Sequence, residues 1–342
     1  MSYQNDQVIK WALNTIKREY AEDVSLLLLY GSYENGTSND LSDVDLYFIP
    51  KTERAYELSQ TFIIKDIGYD LFPMSWHRVE EIADFNDRLT PCVGDVKILY
   101  ANSIEDERRF KHLQLKLHKH LSDRAFMLSK AKQQLTKAKK TMGELILANS
   151  TCESRLHAAS IICQLSDCVA FFNQTYFHRG LKTQVEDLKQ MRKLPLHFLE
   201  LYDFIVTTTS NRDLQLACMA LIKSTEFLLK QQDNQKQDLD YEKLIGRYEE
   251  LCSSFNKIYT QCQLQNAALV YLSAAQVQVE LNEITEDFHF PRFDLLCYFD
   301  ASNLENFSIE TFKIENQFIT TLKEHSIPIR SFATIETFLE TQ

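Results

Sequence analysis

The stretch SLLLLYGSYENGTSNDLSDVDLYFIP, residues 25–50, decides how the rest of the chain is read. An apolar run ending at Tyr30 meets Gly31 and Ser32, a polar segment follows, and two acids, Asp43 and Asp45, then alternate with Val44 and Leu46. Side chains of an extended strand alternate between its faces, so residues two apart project together. Asp43 and Asp45 are therefore expected side by side, where two carboxylates repel unless a cation lies between them. Mg2+ suits that position: it takes one or two protein carboxylates and completes its shell with phosphate oxygens and water. The glycine fits the same chemistry. At a strand end it lets the backbone turn tightly and approach a ligand, and Ser32 adds a hydroxyl and an N–H for phosphate oxygens.

Asp70, between Tyr69 and Leu71 of a further expected strand, is placed to be the third acid of a two-metal cage. A Gly-Ser in a loop or an Asp-x-Asp at an exposed edge is ordinary by itself. Strand, turn, ten-residue spacer, alternating acids and a third acid together point to phosphoryl or nucleotidyl transfer.

Composition sets the frame for this chemistry. A chain of 342 residues, 44% hydrophobic and 25% charged, has the make-up of a folded globular protein with room for two domains. No apolar run approaches the roughly 18 residues of a membrane span. The N-terminus, MSYQNDQVIKWALNTIKREY, is charged and has no signal-peptide core, so a cytoplasmic location is expected. The eight cysteines show no C-x-x-C and no Cys/His pairing at zinc spacing, and read as reduced, mostly buried small hydrophobes. Of the net charge of −11, residues 1–110 carry −9 (11 Lys+Arg, 20 Asp+Glu) and residues 111–342 carry −2 (26 and 28). That acidic first part argues against broad nucleic-acid binding there and is compatible with a cationic substrate or metal ions.

Turn residues divide the chain. Four of the seven glycines (Gly31, Gly36, Gly68, Gly94) and three of the six prolines (Pro50, Pro73, Pro91) lie in the first 94 residues. The expected elements there are an amphipathic helix over 4–20, strands over 24–30 and 44–50, and a short helix and third strand in ERAYELSQTFIIKDI. A strand in GYDLFPMSW, a helix capped by Ser75, and a last strand over 94–101 follow. From about residue 105 the pattern is long helices: one through FKHLQLKLHKHLSDRAFMLSKAKQQLTKAKKTMGELILA, one in ESRLHAASIICQLSDCVAFFNQTYF with Gly180 as a terminator, and a single long segment from Tyr241 to Ile284. The polar run 231–240 reads as an exposed loop. The fold class expected is α+β, a small mixed sheet in residues 1–108 followed by an all-helical domain over 109–342.

The motif GSYENGTSNDLSDVDLYF resembles the signature of the DNA polymerase β-like nucleotidyltransferase superfamily: Gly-Ser, about ten residues, then acid-hydrophobic-acid-hydrophobic. A compact N-terminal domain ahead of a helical one is similar to the antibiotic nucleotidyltransferases, which adenylylate aminoglycosides or lincosamides. The resemblance in motif covers about residues 24–100, and only architecture is shared beyond. It implies that Asp43, Asp45 and Asp70 hold two Mg2+ ions, and that Gly31 and Ser32 contact a nucleoside triphosphate. A nucleoside monophosphate, most often AMP from ATP, would pass to a hydroxyl with release of pyrophosphate, and Asp70 would be placed to act as general base.

In the helical part the candidates lie in FFNQTYFHRGLK, 171–182, where Asn173, Tyr176, Arg179 and Lys182 cluster. Arg179 and Lys182 are expected to neutralise triphosphate charge. His178 reads as a surface histidine. Asp167, the only carboxylate between Glu153 and Glu186, is a candidate to bind a cationic acceptor or to serve as base. Residues 111–140 carry nine Lys+Arg against Asp123, a pattern that collects phosphates or forms the solvated face of a bundle helix.

The leading reading is a metal-dependent nucleotidyltransferase acting on a small hydroxylated, cationic acceptor, as monomer or homodimer, with no membrane or nucleic-acid partner. Two alternatives stand beside it: an AMP transferase that modifies a protein, as some minimal enzymes paired with toxins do, and a nucleotide- or RNA-binding regulator on the same fold. Toxin-paired enzymes are generally shorter, and a binding-only protein has no need of three converging acids.

Overall fold

A computed structural model describes residues 3–34, 42–233, 240–288 and 290–339, so Gly36 and residues 234–239 of the expected polar loop lie outside the described residues. The chain divides into two compact units, Met1–Asn234 and Gln235–Gln342.

The first unit begins with α1 (Tyr3–Glu19), β1 (Val24–Tyr30), α2 (Gly31–Glu34) and β2 (Asp45–Pro50). β3 (Gln60–Ile64), β4 (Ile67–Pro73), α3 (Trp76–Ala83), α4 (Pro91–Gly94) and β5 (Lys97–Ala101) follow. The five strands form one sheet in the order β3-β4-β2-β1-β5. Only β2 and β4 run parallel, with Asp45 opposite Asp70; the other pairs are antiparallel. The architecture is α+β, as expected.

VSLLLLY is apolar without alternation because both faces of β1 are covered. Leu27 and Leu29 pack with Leu46, Phe48 and the α1 stripe Val8, Ala12 and Ile16, whereas Leu26 and Leu28 join Tyr47 and Ile49 against helices that follow the sheet. That second core runs on to Leu229. The division of the chain therefore falls at 234/235, and the expected boundary after residue 108 does not coincide with it: the sheet's second face is buried by the helices that follow it, through Leu229.

Those helices are α5 (Ile104–Ser122), α6 (Arg124–Leu147), α7 (Thr151–Phe172), α8 (Gln184–Gln190), α9 (Phe198–Thr207) and α10 (Asn211–Asp233). The single helix expected across Asp123 is two. The Asp123 carboxylate accepts from the N–H of Phe126 at 3.0 Å and caps α6. α7 ends at Asn173, seven residues before the expected terminator Gly180; the Asn173 amide donates to the carbonyls of Val169 (2.8 Å) and Lys193 (2.7 Å).

One polar residue of α1 fixes the approach to β2. Asn5 lies on the stripe of Val8, Ala12 and Ile16 and is buried. Its amide donates to the carbonyls of Ser42 (3.1 Å) and Asp43 (3.5 Å), and its oxygen accepts from the Tyr69 hydroxyl (2.7 Å). Asn5→Ala removes these partners from buried groups and is expected to lower stability by about 1–3 kcal/mol, read from the urea midpoint at unchanged m-value.

The second unit contains α11 (Arg247–Gln263), α12 (Ala267–Phe288), α13 (Leu304–Glu324) and α14 (Ile335–Leu339). Its core centres on Phe255, Val277, Phe307 and Phe318. The long segment expected from Tyr241 is broken between α11 and α12, where Gln265 takes a positive φ of 54°. A buried carboxylate, Glu315, is satisfied by the hydroxyls of Tyr248 (2.9 Å) and Tyr259 (2.5 Å). Among the described residues no helix is long and apolar enough to cross a membrane, and all eight cysteines are free.

Candidate functional site

The corner where β1 meets β2 is built around one close approach. Gly31 follows β1 with φ +80°, in the left-handed region that side chains disfavour. A Cβ added there would fall onto the Asp45 carboxylate, 2.7 Å from its Cγ. Glycine is thus required both by the turn and by the acid it faces. Tyr33, two residues on, donates to Asp6 of α1 at 2.6 Å and ties down the start of α2. The side chain of Ser32 lies outside the described residues.

Asp43 and Asp45 both act on Tyr30, the last residue of β1. Burial, then Cys92 and the charges of Asp45 and Asp43, push the Tyr30 phenol far above its ordinary pKa, so it stays a neutral hydroxyl. The Cys92 thiol, buried beside it, is pushed up to about 12, chiefly by burial. Tyr47 donates to the Cys92 carbonyl and holds α4 against the sheet.

Asp70 is opposite Asp45 in the parallel β2–β4 register, so both point to the same face. It is exposed and accepts from the Thr61 hydroxyl of β3 at 3.2 Å. Among the described residues no group of three or more His, Cys, Asp or Glu side chains is gathered closely enough to hold a metal ion. Of the expected trio, Asp45 and Asp70 share one face of the adjacent strands β2 and β4, whereas Asp43 precedes β2 and does not line the adjoining cleft; the three form no closed cage. The donor set suits a hard divalent cation all the same: its groups are oxygen only, and such an ion needs one or two carboxylates when phosphates complete its shell.

A cleft of about 540 Å³ opens from this corner. Gly31, Tyr30 and Asp45 line it, together with the apolar Phe85, Phe171 and Phe177. Asp167, Tyr176, His178, Arg179 and Lys182, all expected site residues or their neighbours in sequence, line the same space. Asp70 does not line it, and neither does Asn173, whose side chain is spent on the α7 terminus.

Each titratable wall residue has a definite electrostatic setting. Asp167 accepts from Arg88 Nε at 3.1 Å. Burial pushes the Asp167 carboxyl up and the Arg88 charge pulls it back, while Asp167 and Cys163 keep Arg88 charged against its own burial. His178 places Nδ1 2.8 Å from the Asp95 carboxylate. That contact raises the imidazole pKa, with Asp187 adding and burial and Arg179 opposing. The ring lies against Tyr176, 4.1 Å between centroids. Tyr176 in turn sits so close over Gly94 that a Cβ there would be 2.9 Å from its Cζ. The expected surface histidine is thus one member of an ordered Asp95–His178–Tyr176 group. Arg179 pairs with Asp187 at 3.1 Å.

Sequence reasoning missed Arg88, Asp95, Phe85 and Cys92. Phe85 carries the one signal that backbone geometry supplies: φ +56°, rare for an aromatic, at the end of α3 where glycine is usual. Its ring is held edge-on by Phe171 and Tyr176.

The basic run 111–140 spans α5 and α6, and several of its cations have partners. Lys116 pairs with Asp84 at 2.6 Å, Lys139 with Glu226 at 3.1 Å and Lys111 with Glu107 at 2.5 Å, while Lys130 donates to Asn86 at 2.5 Å. These contacts fit the face of a bundle better than a phosphate-collecting surface.

No protein-family model matches the chain, and no curated protein matches it. Among solved structures, the crystal structure of a nucleotidyltransferase-like protein from Exiguobacterium sibiricum is similar over 91% of this chain and 91% of its own. The TM-score is 0.36 and the identity 11%, a loose likeness on which no assignment rests.

Proposed function

We propose that the chain is a nucleotidyltransferase that moves a nucleoside monophosphate, AMP from ATP, to a hydroxyl of a small molecule. The observation that carries this reading is the close approach of Gly31 to Asp45 in the lining of the cleft. A side-chain-free turn pressed against a carboxylate brings backbone donors for phosphate and an anionic ligand for a cation to one point.

In this reading Gly31 and Ser32 receive the triphosphate, and Asp43 and Asp45 hold Mg2+. Asp70 is about 4.8 Å from Asp45 in the backbone, the spacing of neighbouring strands, and joins them by turning from Thr61. Bound there, Mg2+ supplies positive charge to the phosphates and to the leaving pyrophosphate. Arg179 and Lys182 add positive charge from the lining of the same cleft, Arg179 exchanging Asp187 for phosphate.

The acceptor hydroxyl oxygen bonds to the α-phosphorus as the bond from that phosphorus to the bridging oxygen breaks, and pyrophosphate leaves. The hydroxyl proton goes to a base in the cleft. Asp70 faces Thr61 outside the cleft and Asp167 is tied to Arg88. His178 is the better placed group: Asp95 engages Nδ1 and fixes the tautomer that offers Nε2.

The sign of its pH dependence follows. Asp95 raises the His178 pKa, so the neutral base is lost as pH falls through that raised value. Asp95→Asn is expected to move the acid limb of the kcat profile to lower pH and to lower its plateau. An unmoved limb excludes His178 as the base.

The test of the function is incubation with ATP labelled in the α-phosphate, Mg2+ and a panel of aminoglycosides, lincosamides and nucleosides, read by mass spectrometry for a nucleotidyl adduct. A Mg2+-dependent adduct with matching pyrophosphate release is the expected result. No adduct on any acceptor or on the protein itself, with no pyrophosphate, counts against the reading.

A further inference from the structure

The far wall of the cleft bears on which acceptors it admits. Of its lining charges, Asp167 is matched by Arg88 at 3.1 Å and Asp87 by Arg78 at 2.9 Å. Arg179 is matched by Asp187 at 3.1 Å, and His178 sits 2.8 Å from the Asp95 carboxylate. Among the described residues Asp45 is the remaining lining carboxylate, and it belongs to the nucleotide end. The lining also has an aromatic and aliphatic part that includes Phe85, Leu89, Phe171 and Phe177. A polycation entering here meets no uncompensated acid beyond the nucleotide end, and it leaves behind the hydration that its charges require.

Resting on the nucleotidyltransferase reading, we propose that the acceptor is an uncharged hydroxylated molecule with an apolar or aromatic face, and that the Arg88–Asp167 pair is the element that excludes polycationic acceptors. Arg88 thereby acts as a specificity residue. It neutralises Asp167 in the cleft wall, and its removal leaves that acid without its partner charge. The acidic composition of residues 1–110, compatible with a cationic substrate when read from sequence, is not expressed in this wall because its acids are paired locally.

The test compares two probes on the full chain with Mg2+ and ATP present: 4-nitrophenyl β-glucoside, neutral with an aromatic face and four hydroxyls, and kanamycin, a polycation. Dissociation constants come from calorimetry, with ligand-observed NMR for weak binding. The wild type is expected to bind the glucoside at least about tenfold more tightly than kanamycin. Arg88→Gln is expected to tighten kanamycin by about tenfold or more, a gain sensitive to salt. Arg88→Gln with Asp167→Asn should abolish the gain, which separates cleft binding from adsorption to an acidic protein. Arg88→Lys keeps the charge and should leave the order of the probes unchanged, so it decides the matter if the glutamine variant fails to fold.

Kanamycin binding more tightly than the glucoside in the wild type overturns the proposal. So does an unchanged kanamycin affinity in folded Arg88→Gln, or a changed order of the probes in Arg88→Lys. Binding of Mg2+ and ATP is measured on the same samples. If the nucleotide fails to bind while the probes behave as expected, the transferase reading falls and the neutral cleft stands. Nucleotide binding with the opposite probe order removes the neutral cleft and leaves the transferase reading in place.

Discussion

Asp45→Asn is expected to lower nucleotidyl transfer by about a thousandfold while leaving the thermal midpoint nearly unchanged. The carboxylate lines the cleft beside Gly31 and opposite Asp70 in register; under the proposed function it would hold the cation and, through it, offset the charge that develops on the leaving pyrophosphate. Loss of a charge-stabilising interaction worth roughly 4 kcal/mol corresponds to about three decades in rate. Stability should change little, or rise, because asparagine keeps the shape and removes one of the negative charges that crowd the Tyr30 corner. A steady-state assay at saturating ATP, together with a melting curve, reads both. A variant with half the wild-type rate would place the cation elsewhere.

Gly31→Ala should reproduce most of that loss by a different route. The added Cβ occupies the space of the Asp45 carboxylate, and the backbone at φ +80° is one that alanine adopts at a cost of about 1–2 kcal/mol. The carboxylate must swing away or the turn must open; under the proposed function either would break the alignment of the turn with the metal ligand. Activity is therefore expected to fall by about two to three decades, with stability lowered by at least about 1 kcal/mol. Gly68→Ala is the matched control, since its Cβ meets nothing within 4 Å. Equal effects of the two substitutions would show that the Gly31 approach has no special role.

The two halves of the site differ in how far the sequence discloses them, for physical reasons. Gly31 and Asp45 are legible because β1 and β2 are consecutive, paired strands: strand, turn and strand carry their spacing along one stretch of chain, and Asp45 pairs with Tyr30, the residue before Gly31. Asp70 is legible as a strand acid but not in its orientation, since its partner Thr61 is set by the β3–β4 register. The rest of the cleft lining is assembled from remote pairs. Arg88 meets Asp167 across 79 residues of chain, and Asp95 meets His178 across 83; neither pair leaves a local pattern. Asn5 is readable in principle, as a polar residue on an otherwise apolar helical stripe.

The fold shows the same split. β1, β2 and β4, the Ser75 cap and the helical character after residue 105 follow from alternation, capping and periodicity. The breaks at Asp123 and Gln265 do not, because the helical periodicity continues through both and the capping carboxylate or left-handed residue alone interrupts it. The division at 234/235 is hidden for a further reason. Composition changes where the strands end, near residue 105, whereas the core that unites the first unit continues through the helices that cover the sheet.

Whether the Gly31–Asp45 corner binds a metal-bound nucleoside triphosphate is decided by calorimetric titration of ATP into the full chain, with Mg2+ and with EDTA, for the wild type and for Asp45→Asn. Saturable binding to the wild type that requires Mg2+ and is lost in the variant is the expected outcome. Binding of equal strength in EDTA, or binding that Asp45→Asn leaves unchanged, is incompatible with a nucleotide held through a cation at this corner.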